Sequence, residues 1–223
     1  MKKFTIFSED SYCITRDGEI GYSLSHDTPA YYHEDYVGGQ GRHSMLGTIE
    51  NLICTFKNDI TPYRETTLNN AMDSLGEILD SELPEILRES QYSSLRVCVI
   101  PRAKHEEHYR PNQRLFRQTV QMAVKRIDGL EDGTMDIIRH TDTATTHLAR
   151  RGNGGLGSKP YVGITLDTCS ISDDVKGKDI LLIDDLYTKT VNIDEDCIQA
   201  LYEKGARSVM FYAVGRTRLR TWN

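Results

Sequence analysis

The stretch Ile180-Leu181-Leu182-Ile183-Asp184-Asp185-Leu186-Tyr187-Thr188-Lys189-Thr190-Val191-Asn192 decides the fold. Four consecutive apolar residues, Ile180 to Ile183, rather than an alternation, specify a strand covered on both faces, as in a parallel sheet wound with helices. Asp184 and Asp185 follow at the carboxyl end of that strand. Open α/β sheets form their ligand crevice there, and two neighbouring carboxylates suit sugar hydroxyls and a divalent cation. Leu186 to Asn192 is expected to turn. From Ile193 to Lys204 the apolar residues Ile193, Cys197, Ala200 and Leu201 share one helical face, and Gly205 is placed to cap the helix. Amides of the turn would then face an anion held at the helix start.

Around this stretch the chain has 223 residues and a formal charge of -6, from 27 basic and 33 acidic side chains. That balance excludes a general nucleic-acid binder. The charge is uneven: Arg96 to Lys159 holds 12 basic and 7 acidic residues, against 15 and 26 elsewhere. An anionic ligand or a solvated face accounts for the basic middle. The five cysteines, at 13, 54, 98, 169 and 197, form no CxxC pair. The spacing predicts neither a zinc ribbon nor a disulfide framework, and it predicts a reducing, cytoplasmic setting. MKKFTIFSED lacks the apolar run of a signal peptide, and no segment approaches a membrane span.

Working outward, the first 25 residues predict a hairpin-like element, with Phe4 to Phe7 and Tyr12 to Thr15 as strands and Asp17-Gly18 as a turn before Ile20 to Leu24. Tyr31, Tyr32 and Tyr36 either stack on a base or cover the core, and core is the commoner role. Met45 to Phe56 places Leu46, Ile49, Leu52, Ile53 and Phe56 at helical spacing. Thr67 to Leu87 continues as helix, broken near Pro84. Leu95 to Ile100 is a second β-rich run, and Met135 to Ile138, Tyr161 to Leu166 and Ser208 to Val214 are further strands. Between them lie the cationic loop Pro101 to Gln113 and a helix that follows Asn112-Gln113. His105 and His108 have only Glu106 and Glu107 near them, so no metal centre is expected there.

IDDLYTKTVN resembles the phosphoribosyl pyrophosphate (PRPP) signature of type I phosphoribosyltransferases, most closely the ComF branch, whose pattern is roughly DD-hydrophobic-Tyr-Thr-Thr-Gly-x-Thr. Asp184, Asp185, Leu186, Tyr187 and Thr188 match. Lys189 replaces the second Thr, Thr190 the Gly and Asn192 the last Thr. The lost glycine removes the residue that accepts positive φ and lets amides close around a phosphate. The helical segment ending in Phe56-Lys57 and the Asn112-Gln113 pair are also similar to ComF proteins. Arg139, Thr141, Asp142, Thr143, Arg150, Arg151 and Asn153 occupy positions matching the family's flexible loop, with glycines at 152, 154, 155 and 157 as hinges. The likeness runs from about residue 45 to 216.

The resemblance implies an α/β fold of the phosphoribosyltransferase kind, its mostly parallel sheet wound with helices, over residues 45–223. An added β hairpin element occupies 1–44. It also implies binding of PRPP or a related phosphoribosyl nucleotide with magnesium. Asp184 and Asp185 would meet the ribose hydroxyls and, through the substrate, the metal. Residues 186–192, including Val191, would hold the 5'-phosphate, and Arg102, Ala103 and Lys104 the diphosphate. Transfer to a base or amine is one reading. A non-catalytic nucleotide sensor is another, and an effector or accessory protein of a bacterial defence or DNA-uptake system, acting with a protein or nucleoprotein partner, is a third. A homodimer is compatible with each. Arg216 to Trp222 would close the site, contact a partner or lie in solvent.

Overall fold

In the computed structural model the described residues are 1–10, 12–14, 20–22, 24–39, 41–59, 62–143, 164–189 and 192–218. Strands β1 (Lys2–Ile6), β2 (Tyr12–Ile14), β3 (Ile20–Tyr22) and β4 (Thr28–Tyr36) precede helices α1 (Ile49–Lys57) and α2 (Glu65–Ser90). Then come β5 (Leu95–Val99), α3 (Leu115–Val124), β6 (Leu130–Asp132), β7 (Ile137–Arg139), β8 (Cys169–Ile171), β9 (Asp179–Tyr187), α4 (Ile193–Glu203) and β10 (Ser208–Thr217).

Six strands form the main sheet in the order β1-β4-β10-β9-β5-β6, parallel throughout except for the β1–β4 pair at one edge. β9 is central, and Ile180 to Ile183 are fully buried. Even positions Ile180 and Leu182 pack with α4 residues Cys197, Ile198 and Leu201 on one face. Odd positions Leu181 and Ile183 pack with α1, α2 and α3 on the other. Each such side chain contributes about 2 kcal/mol by leaving water. This is the α/β sheet, covered on both faces, that the unbroken apolar run specifies. No described helix is long and apolar enough to cross a membrane.

The chain leaves β5 through α3 to β6 on one side, and leaves β9 through α4 to β10 on the other. α3 and α4 cover opposite faces. The carboxyl ends of β5 and β9 therefore flank a topological switch point, the place where open α/β sheets leave a crevice.

Several expectations change. β2 and β3 do pair as an antiparallel hairpin, but β1 joins β4 in the main sheet instead of pairing with Tyr12–Ile14. With β4 inserted beside β10, residues 1–44 supply two strands of the main sheet and are not set apart from it. Tyr31 and Tyr32 are buried on β4, in the covering role. α1 starts at Ile49, where Thr48 accepts a hydrogen bond from the Asn51 amide, and Leu46 stays 83% exposed before it. α2 runs unbroken through Pro84. Proline removes one helical hydrogen bond, but Leu75, Leu79, Leu83 and Ile86 are fully buried along one face and hold both halves in line. Residues 135–136 precede β7, which pairs antiparallel with β8 outside the main sheet. Residues 164–168 turn instead of extending, and 161–163 lie outside the described residues. Gly205 (φ 99°) caps α4 as expected: its amide reaches Tyr202 O and that of Ala206 reaches Leu201 O.

Candidate active site

β9 does not end at Ile183. It continues through Asp184, Asp185, Leu186 and Tyr187, paired only with β10, because β5 pairs no further than Val99 opposite Ile183. Leu186 and Tyr187 thus belong to the strand, not to the turn expected there, and Tyr187 is buried against Phe4 and Phe211. Among the described residues, the flank of this extension towards β5 has no strand partner.

Successive side chains on a strand face opposite ways, so the two carboxylates part company. Asp185 meets the end of α1, where Lys57 Nζ lies 3.2 Å from Oδ1 and 2.9 Å from Oδ2. Burial pulls the Lys57 ammonium down, but Asp185 and then Asp184 outweigh it and hold it above its usual range. Asp184 meets Asp194, in the first turn of α4. Burial, then the charge of Asp185, pushes Asp184 up to about 7, against the pull of Lys57. Asp194, 4% exposed, is raised well above the carboxylate range by burial and then by Asp184 and Glu195. The Asp184 and Asp194 carboxyl groups share a hydrogen bond. Glu195, also raised by burial, accepts a 2.9 Å bond from the Tyr187 hydroxyl. Buried carboxylates placed close together settle their charge by retaining protons.

The turn after β9 brings Thr188 Oγ1 within 2.8 Å of Thr217 Oγ1. Thr190 and Val191 lie outside the described residues. Asn192 opens α4 with φ 57°, so a left-handed residue does stand in this loop, two positions after the expected glycine. Lys189, Tyr187, Glu195, Phe4 and Arg216 line a cleft of about 400 Å³, counting space open to solvent. Arg216 stacks over Phe4, its guanidinium carbon 4.2 Å from the ring centre. Asp194, Glu195 and Asp196 occupy the first turn of α4.

The loop after β5 is stitched on two sides. Arg102 donates to Gln113 O (2.9 Å), Lys57 O (2.8 Å) and Asp59 Oδ1 (2.5 Å), and lies over the Tyr109 ring. Its guanidinium therefore ties α1 to the loop. The Lys104 amide donates to the Tyr109 hydroxyl. On the other side Ala103 O accepts from the Thr143 amide (2.8 Å), Arg102 O from Arg139 Nε (2.8 Å), and Asp142 Oδ1 from the His105 amide (2.7 Å). Arg139 is buried, and Thr141 is exposed with its hydroxyl on His140. The two segments read separately in the sequence, 102–104 and 139–143, are thus brought together. Arg150, Arg151 and Asn153 fall outside the described residues.

Lys57, Asp59, Asp194 and Glu195 carry no site motif of their own in the sequence. Lys57 stands at the end of a helical run, and the two carboxylates directly follow the turn. Among the described residues, no group of three or more His, Cys, Asp and Glu is placed to hold a metal ion. The chain matches no protein-family model and no curated protein.

Proposed function

We propose that the crevice at the ends of β5 and β9 binds a phosphoribosyl ligand, PRPP or a related nucleotide, together with magnesium. The observation that carries this reading is the position of Asp184 and Asp185 on the part of β9 that outruns β5, at the switch point of the sheet. The site also suits a divalent cation in its charge. Asp184 is held up to about 7 and makes no salt bridge among the described residues, so an added cation would let it ionise.

In this reading Asp184 accepts from a ribose hydroxyl, and Asp185 is paired with Lys57. Thr188, Lys189 and the amides that run through Thr190 and Val191 to Asn192 take the 5'-phosphate. Magnesium, held by the carboxylates through the ligand, would neutralise diphosphate charge. Transfer at the anomeric carbon leaves positive charge on the sugar and negative charge on the departing diphosphate. The chain's contribution would be to position and to stabilise those charges. Lys104 stands on the loop that would face the diphosphate.

Arg102 supports a second reading, a sensor that binds without transfer. Its guanidinium is committed to α1 and Asp59 instead of being presented to a leaving group. Diphosphate release, assayed on the protein with PRPP, magnesium and a panel of bases and amines, separates the two. Release above a Asp184→Asn control supports the transferase; binding without release supports the sensor. Absence of binding contradicts both.

A further inference from the structure

A second reactive pair lies one helical turn before Lys57. Cys54, on α1, places Sγ 3.2 Å from His43 Nδ1. The short turn 42–44 that carries His43 is clamped to α1: Asn51 Nδ2 donates to His43 O (2.7 Å) and Thr48 Oγ1 to Arg42 O (2.8 Å). The imidazole is thereby held on the thiol by backbone anchors. Both residues are half-buried, whereas Cys98, Cys169 and Cys197 are buried.

The neighbouring charges are matched. Glu50, one turn earlier on α1, pairs with Arg42 at 2.9 Å and accepts from the Val37 and Gly38 amides. Lys57 pairs with Asp185 of β9. The phenols of Tyr36, on β4, and Tyr63 are held protonated, chiefly by burial. His43 is the described residue whose ring nitrogen is held within reach of the Cys54 thiol.

We propose that Cys54 and His43 form a nucleophilic dyad and that Cys54 is a site of covalent modification by hydroperoxides. The sulfur attacks one peroxide oxygen and the O–O bond breaks. His43 takes the thiol proton and passes it to the departing hydroxide or alkoxide, which leaves as water or an alcohol. The sulfur loses two electrons and becomes a sulfenic acid, and the peroxide gains them. This proposal stands apart from the phosphoribosyl reading, since it uses neither aspartate.

The test treats the full chain with hydrogen peroxide in the presence of dimedone, which traps sulfenic acids, and maps the adducts by peptide mass spectrometry. The peptide bearing Cys13 is scored separately. The adduct is expected on Cys54, at least tenfold faster than in His43→Gln, with circular dichroism confirming that the variant folds. The wild-type chain decides without any variant: the dyad predicts that Cys54 is labelled first, ahead of the buried Cys98, Cys169 and Cys197 and of Cys13. An unlabelled Cys54, a Cys54 labelled no faster than the other cysteines, or an equal rate in His43→Gln would overturn the proposal.

Discussion

Asp184 and Asp185 are adjacent on a strand and therefore answer to different neighbours: Asp185 to a lysine, Asp184 to a second carboxyl group. The ordinary value for Asp184 is 3.8 and the folded chain raises it to about 7. The folded state thus holds the proton more tightly than the unfolded one. This contribution to stability is complete below the unfolded value and is lost as pH rises through about 7. Asp184→Asn should flatten the melting profile between pH 4 and pH 8. It should stabilise the protein at pH 8 by about 2 kcal/mol, allowing for partial exposure of the group. Chemical denaturation at both ends of that range checks the sign, and a variant less stable than wild type at pH 8 contradicts it. Arg102 presents the opposite case, a cation whose bonds are all geometric. Arg102→Lys cannot reproduce the planar fork that reaches Gln113, Lys57 and Asp59 together. A loss of about 2–3 kcal/mol is expected in urea unfolding.

Among the elements, α1 matters most to the site, because its last turn delivers Lys57 to Asp185. Its seat is a close approach to β10 at Gly215. A Cβ there would lie 2.8 Å from Ile53 Cδ1 and 3.2 Å from Leu186 Cδ1. Gly215→Ala should cost about 1–2 kcal/mol and shift α1 outward, and ligand affinity should fall with stability. An unchanged melting temperature would show that the two side chains simply rotate away. Helix and strand cores were legible in the sequence because burial writes a period. The run Ile180 to Ile183 gave β9, and Cys197, Ala200 and Leu201 with Gly205 gave α4 and its end. What escaped was decided by partners far along the chain. Nothing local marks the continuation of β9 through Tyr187, since it depends on pairing with β10, Arg216 opposite Tyr187. Pro84 carries a strong local signal for a break, which lost to the buried leucines on either side.

At the scale of the whole molecule, the proposed site draws on residues far apart in the chain. Lys57 lies against both Asp185 and the Arg102 guanidinium, and β5 and β9 are neighbours whose connections diverge. The sequence showed Asp184 and Asp185 as a pair, and their place in an α/β sheet follows from the strand before them. The link to Lys57, 128 residues away from Asp185, is set by the packing of α1 and has no pattern in the chain. Hydrogen bonds to Arg102 O, Ala103 O and the His105 amide bring residues 139–143 onto the loop after β5. The most direct test of the central claim is calorimetric titration of the full chain with PRPP, with and without magnesium, beside the double variant Asp184→Asn, Asp185→Asn. Magnesium-dependent binding is expected, and the folded double variant should lack it. Equal binding by the double variant, or none by the wild type at millimolar PRPP, would contradict the claim.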